Sequence, residues 1–184
     1  MNPINDTTTA HNTMEQLSIK NYPMQKKIYS NELYFFVSSL ALLILFAHLI
    51  SFICPCILGE VNCDLKYLEN TNGLFIFFFV GSIFSPLIET VIFQLIPVSI
   101  YDRYVNNKTS GKRLIVIIAS AGIFGLTHHY NLLTIIDAAI AGIIFTTIFF
   151  YFKERGKSGF FFTFLIHSLF NTYAFILDDL LKNA

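Results

Sequence analysis

From residue 33 onward the chain is a series of apolar blocks separated by short polar connections. The blocks run from Leu33 to Ile53, Gly73 to Tyr101, Leu114 to Leu126, Leu132 to Phe152 and Phe160 to Leu177. A bilayer core takes about 20 apolar residues as a helix. The first, fourth and fifth blocks meet that length directly. The second is longer and carries Pro86 and Pro97, which predicts one kinked helix or a broken one. The third is short and reaches spanning length if it continues through His128. None of the blocks has the polar stripe of a surface helix in a soluble protein. The expected fold is all-α: a polytopic membrane helix bundle of about five transmembrane helices.

Composition agrees with this. Hydrophobic residues make up 54% of the chain and charged residues 13%, with a mean hydropathy of +0.60. The charged fraction is about half that of a soluble domain. The net charge of zero argues against a nucleic-acid partner. Residues 1–30, rich in Asn, Thr, Gln and Lys, are expected to form a polar cytoplasmic tail without fixed structure. Residues 31–184 then form the transmembrane domain.

Basic residues set the orientation. Lys20, Lys26 and Lys27 precede the first block. Arg103, Lys108, Lys112 and Arg113 follow the second, and Lys153, Arg155 and Lys157 follow the fourth. Lys66 and Lys182 alone fall on the other side. This alternation suits five spans, with a cytoplasmic N-terminus and an external C-terminus. Cys54, Cys56 and Cys63 follow the first span on the external side. They are expected to be unpaired, since Cys54 and Cys56 are too close for an easy mutual bridge; the alternative is a bridge from one of them to Cys63.

Ionisable groups inside a bilayer are costly and point to function. They are His48, Glu89, His128, His129, Asp137 and His167, with Gln94 and Asn171 as polar companions. Glu89 sits deep in the second block, three residues after Pro86. It suits a general base, or equally a protonated partner for a neighbouring helix. Phe124 and His128 share a helix face, as do His167 and Asn171. The last pair suits an oxyanion site or an ordinary interhelical hydrogen bond. At a rise of about 1.5 Å per residue, Glu89 lies about 18 Å from the basic end of its helix, and His128 about 21 Å. His167 and Asn171 lie at about 10 and 17 Å, so the four groups occupy overlapping layers. His48 is expected at the interface or on a neighbouring helix, His129 at the boundary, and Asp137 within reach of His129.

The ordered set Glu89-Thr90-Val91-Ile92-Phe93-Gln94, Phe124-x-x-x-His128 and His167-x-x-x-Asn171 resembles the CPBP family. These are the CAAX protease and bacteriocin-processing (Abi) membrane proteins, and the likeness covers roughly residues 73–177. It implies an intramembrane glutamic endopeptidase, similar to type II CAAX prenyl endopeptidases. In that reading Glu89 and His128 activate water, while His167 and Asn171 stabilise the oxyanion. Phe93 and Phe124 support them. The family usually has a second Glu and an Arg where this chain has Thr90 and Gln94. Both charges are exchanged together, and the i, i+4 pair is expected to be joined by a neutral hydrogen bond.

The rival reading is a catalytically silent relative that binds a membrane partner in an immunity or scaffold role. A small transporter fits less well, because no inverted repeat is visible. No cofactor is expected. Zinc held by Glu89, His128 and His167 is chemically feasible, but the resemblance implies a carboxylate-activated water. The implied partners are the bilayer and a membrane-embedded or membrane-associated protein or peptide substrate. The Phe, Ile, Asn and Lys bias suggests a bacterial cell membrane, which disfavours a prenylated substrate.

Overall fold

The computed structural model describes residues 31–53 and 74–177. The tail 1–30, Cys54, Cys56, Cys63, Lys66 and Lys182 lie outside the described residues. The chain divides into two compact units, Met1–Ser38 and Ser39–Ala184. The first contributes only helical residues 31–38, and the candidate site lies wholly in the second.

Among the described residues there are five helices and no strand. They are α1 (Asn31–Ile53), α2 (74–104), α3 (Ser110–Thr127), α4 (Leu132–Lys153) and α5 (Gly159–Phe175). Four have the length and apolar character to cross a membrane. The fifth has 17 residues and continues helically through Leu177. Large apolar side chains cover the outer surface, with Phe75 78% and Ile115 67% exposed. A water-facing surface this apolar would associate, so these faces belong against lipid. The protein is an all-α, multi-pass membrane bundle.

Helix α2 is neither broken nor a plain kinked helix. It contains two π-helical turns, Val80–Phe84 and Val91–Leu95, on either side of the α-helical segment Ser85–Thr90. Proline drives both. Ser85 donates its N–H five residues back, to Val80 O. The next donor in that ladder is residue 86, a proline without an N–H. The second turn repeats the arrangement, with Ile96 N–H on Val91 O and Pro97 next.

The wider turns straighten the buried stripe. An α-helix drifts by about 40° for every four residues. Yet Ser82, Pro86, Thr90, Gln94 and Val98 are all buried at strict four-residue intervals. Beside them run Gly81, Ser85, Glu89, Phe93 and Pro97, half-buried at the same interval. The π turns therefore keep one straight polar seam facing the bundle over the whole length that matters for the site.

Helix α3 starts four residues before the expected Leu114, because Thr109 caps it by accepting Lys112 N–H at 3.4 Å. It ends at Thr127, with His128 as the C-cap. Asn131 and Thr134 form a reciprocal capping box that starts α4 only four residues later. Small residues let α3 and α4 pack closely. A Cβ on Gly125 would stand 2.7 Å from Ile135 O, and one on Gly142 would stand 2.9 Å from Ala121 Cα. This close approach, typical of membrane helix pairs, seats Phe124 against α4 and α5. At the far end of the bundle Arg113 pairs with Glu154 at 2.6 Å, and Lys153 pairs with Asp102. The connections after α2 and after α4 thus lie on one side, as the basic-residue pattern requires of them.

Candidate active site

Glu89 projects from the α-helical segment between the two π turns. Its side chain is 21% exposed. Ser85, one turn earlier, donates its hydroxyl hydrogen to Glu89 Oε1. The other oxygen, Oε2, stands 3.5 Å from His167 Nε2 on α5. That separation is long for a hydrogen bond and leaves room for adjustment. His167 is buried, with 4% of its side chain exposed. Its ring stacks on Phe145 at 4.3 Å and meets Phe124 edge-on at 5.9 Å.

Phe124 is the hub of this arrangement. Its ring lies 4.6 Å from His128, 5.3 Å from Phe93 and 6.0 Å from Phe145. Phe93 comes from α2 and Phe145 from α4, so Phe124 joins all four site-bearing helices. Phe124 therefore packs against both imidazoles, and Phe93 packs against Phe124.

His128 is half-buried at the end of α3. Its Nδ1 lies 2.9 Å from Phe124 O. A carbonyl oxygen only accepts, so Nδ1 carries the hydrogen and Nε2 of the neutral ring is an acceptor. The ring is close enough to interact electrostatically with Glu89, Asp137 and His167. Asp137 is half-buried, and among the described residues no hydrogen bond joins it to His129. His129 is exposed, at the boundary. His48 bonds a neighbouring helix, with Nε2 2.6 Å from Tyr173 Oη.

Asn171 donates from Nδ2 to Gly81 O at 2.9 Å. That carbonyl is the one Pro86 leaves without its π-helical donor. The pairing ties α5 to the first π turn across 90 residues of sequence. Pro97 receives similar compensation: Ser120 donates to Phe93 O, four residues before the proline, and Thr146 Oγ1 lies 3.2 Å from Ser120 Oγ. Freed carbonyls in a bilayer must find such partners.

Thr90 and Gln94 are fully buried on the seam. The expected hydrogen bond between them is not made. Thr90 Oγ1 and both polar atoms of the Gln94 amide lack partners among the described residues. Thr90 closes the α-helical segment and Gln94 lies inside the π turn. Among the described residues no group of three His, Cys, Asp or Glu side chains is arranged as a metal-binding set.

Sequence reasoning missed Ser85, Ser120 and Tyr173. Ser85 was within reach, because it precedes Glu89 by four residues on a helix. Ser120 and Tyr173 act across helices, on partners that local spacing does not identify.

Inside this membrane bundle a half-buried carboxyl group from α2 thus faces a buried imidazole from α5, with His128 at the end of α3 and Asn171 one turn along α5. The family model of type II CAAX prenyl endopeptidase Rce1-like proteins matches residues 71–173, more than half of the chain. The chain belongs to this family of membrane endopeptidases. No curated protein and no solved structure matches it.

Proposed function

We propose that the protein is an intramembrane endopeptidase that hydrolyses a peptide bond of a membrane-associated protein or peptide. One observation carries the reading: Glu89 is held inside the bundle with one oxygen bonded by Ser85 and the other facing His167 Nε2 at 3.5 Å. Glu89 takes a proton from water, whose second hydrogen His128 Nε2 accepts. The hydroxide adds to the carbonyl carbon, and the resulting oxyanion receives N–H donation from His167 and from the second Nδ2 hydrogen of Asn171. The C–N bond then breaks as Glu89 returns its proton to the leaving amine. Water is consumed, and one carboxylic acid and one amine are released. No metal or cofactor takes part in this scheme. The N-terminus is assigned to the cytoplasm of a bacterial cell, residues 1–30 to a tail and 31–184 to the catalytic domain.

The test is peptide profiling of membranes with and without the protein, mapping new cleavage sites. Glu89→Gln keeps shape and hydrogen bonding but removes the base, and it abolishes those cleavages. His128→Ala does likewise, and the double variant is little worse than either single change. His167→Ala leaves a residual rate about 10²–10³-fold lower. Unchanged cleavage or unchanged biological function in Glu89→Gln overturns the hydrolase. A second reading, a silent relative binding a membrane partner, is favoured by the unpartnered Thr90 and Gln94. That reading predicts no protein-dependent cleavage at all.

A further inference from the structure

A second polar feature lies away from the glutamate, where α2 and α4 end and α3 begins. It is a cleft of about 310 Å³, within the size range of small-molecule sites. Lys108, Arg113 and Lys153 line it, together with Asp102 and Glu154, which leaves one net positive charge. Asp102 is shared by two ammonium groups, Lys108 at 3.1 Å and Lys153. Two cations therefore divide a single counter-charge.

The first turn of α3 adds to this. Thr109 and Ser110 line the cleft, and no acidic residue occupies that turn. Thr109 Oγ1 serves Lys112 N–H. The N–H groups of Ser110 and Gly111 have no intrahelical partner, as at any helix start. A helix start alone would mean little. Tyr101 supplies the independent observation. It lines the same cleft, it is only 6% exposed, and its hydroxyl has no hydrogen-bond partner among the described residues. Its oxygen is not one of the sealed polar atoms that lack a partner, so the hydroxyl opens to solvent and is free to donate to a ligand. Its ring is fixed edge-on against Phe150 at 5.6 Å.

We propose that this cleft binds a phosphodiester monoanion, the headgroup phosphate of an anionic phospholipid. A net charge of one suits a monoanion better than a phosphate monoester dianion, which the two carboxylates would repel. Tyr101 and the first turn of α3 supply neutral donors, and Arg113 and Lys153 the charge. The cleft lies at the end of membrane-spanning helices, the level at which lipid phosphates sit. The same chemistry would accept a soluble phosphodiester, so the test separates the two sources.

Full-length protein is purified in detergent, mixed with equal amounts of phosphatidylglycerol and phosphatidylcholine, and retained lipids are counted by native mass spectrometry. Wild type retains phosphatidylglycerol about fivefold over phosphatidylcholine, the ratio set by one net cation near a membrane surface. Arg113→Gln or Lys153→Gln brings the ratio close to unity, while Lys112→Gln, outside the lining, leaves it unchanged. The Arg and Lys variants also break ion pairs. Tyr101→Phe breaks none and keeps the ring, and it lowers phosphatidylglycerol retention about tenfold, as loss of a hydrogen bond to a charged group should. Displacement by millimolar dimethyl phosphate would extend the site to soluble phosphodiesters, and failure to displace would assign it to lipid. Equal retention of both lipids by wild type, or full retention by Tyr101→Phe, overturns the proposal.

Discussion

Asn171 has two conceivable duties, and one pair of substitutions separates them. Its Nδ2 donates to Gly81 O at 2.9 Å, the carbonyl that Pro86 deprives of a π-helical donor. Asn171→Leu keeps the volume and leaves that carbonyl unpaired in a water-poor interior. An unsatisfied buried acceptor costs about 1–3 kcal/mol. Interhelical bonds in membranes fall toward the lower end of that range, so we expect about 1 kcal/mol. For a chain of this size that lowers Tm by roughly 2–4 °C. Pro86→Ala restores the missing N–H. In that background Asn171→Leu should cost well under half as much, giving a coupling of the order of 1 kcal/mol. Thermal unfolding in detergent of the four proteins measures it. Equal losses in both backgrounds would refute the claim that Asn171 compensates for Pro86. Cleavage assays on the same proteins isolate the second duty: a rate loss that persists when Pro86→Ala has restored stability belongs to oxyanion donation.

The partnerless seam residues lead to a stability prediction of opposite sign. Gln94→Met and Thr90→Val remove buried polar atoms that have no partner, so each should raise Tm, Gln94→Met by the equivalent of about 1–3 kcal/mol; a fall in Tm would show that those atoms are satisfied. Gly142→Val drives a side chain onto Ala121 and Phe124 and should cost about 1–3 kcal/mol with a loss of cleavage. Gly122→Ala, with open space around its Cβ, should be harmless in the same unfolding and cleavage assays. Strong chelators should leave the cleavage rate unchanged, and a loss reversed by added zinc would move the mechanism to a metalloprotease.

What the sequence settled by itself is the membrane bundle. Runs such as Leu132 to Phe152 can only be helices in hydrocarbon, because each backbone polar group must be satisfied within its own segment. The same solvent makes Glu89, His128 and His167 conspicuous, since a polar group there needs a reason. Which groups meet was left to the tertiary structure. Spacing along one helix cannot tell that Glu89 faces His167 on α5 while His128 turns its Nδ1 back to Phe124 O. Nor can it tell that Asn171 answers a carbonyl 90 positions away. The prolines replaced the α-helical period of α2 with π turns, and Thr90 and Gln94, though on one seam, do not bond each other. The four-residue recurrence of Ser82, Pro86, Thr90 and Gln94 was the available sign of that change. Its meaning depended on the packing of α3, α4 and α5, whose side chains supply the donors that make two π turns affordable within a bilayer.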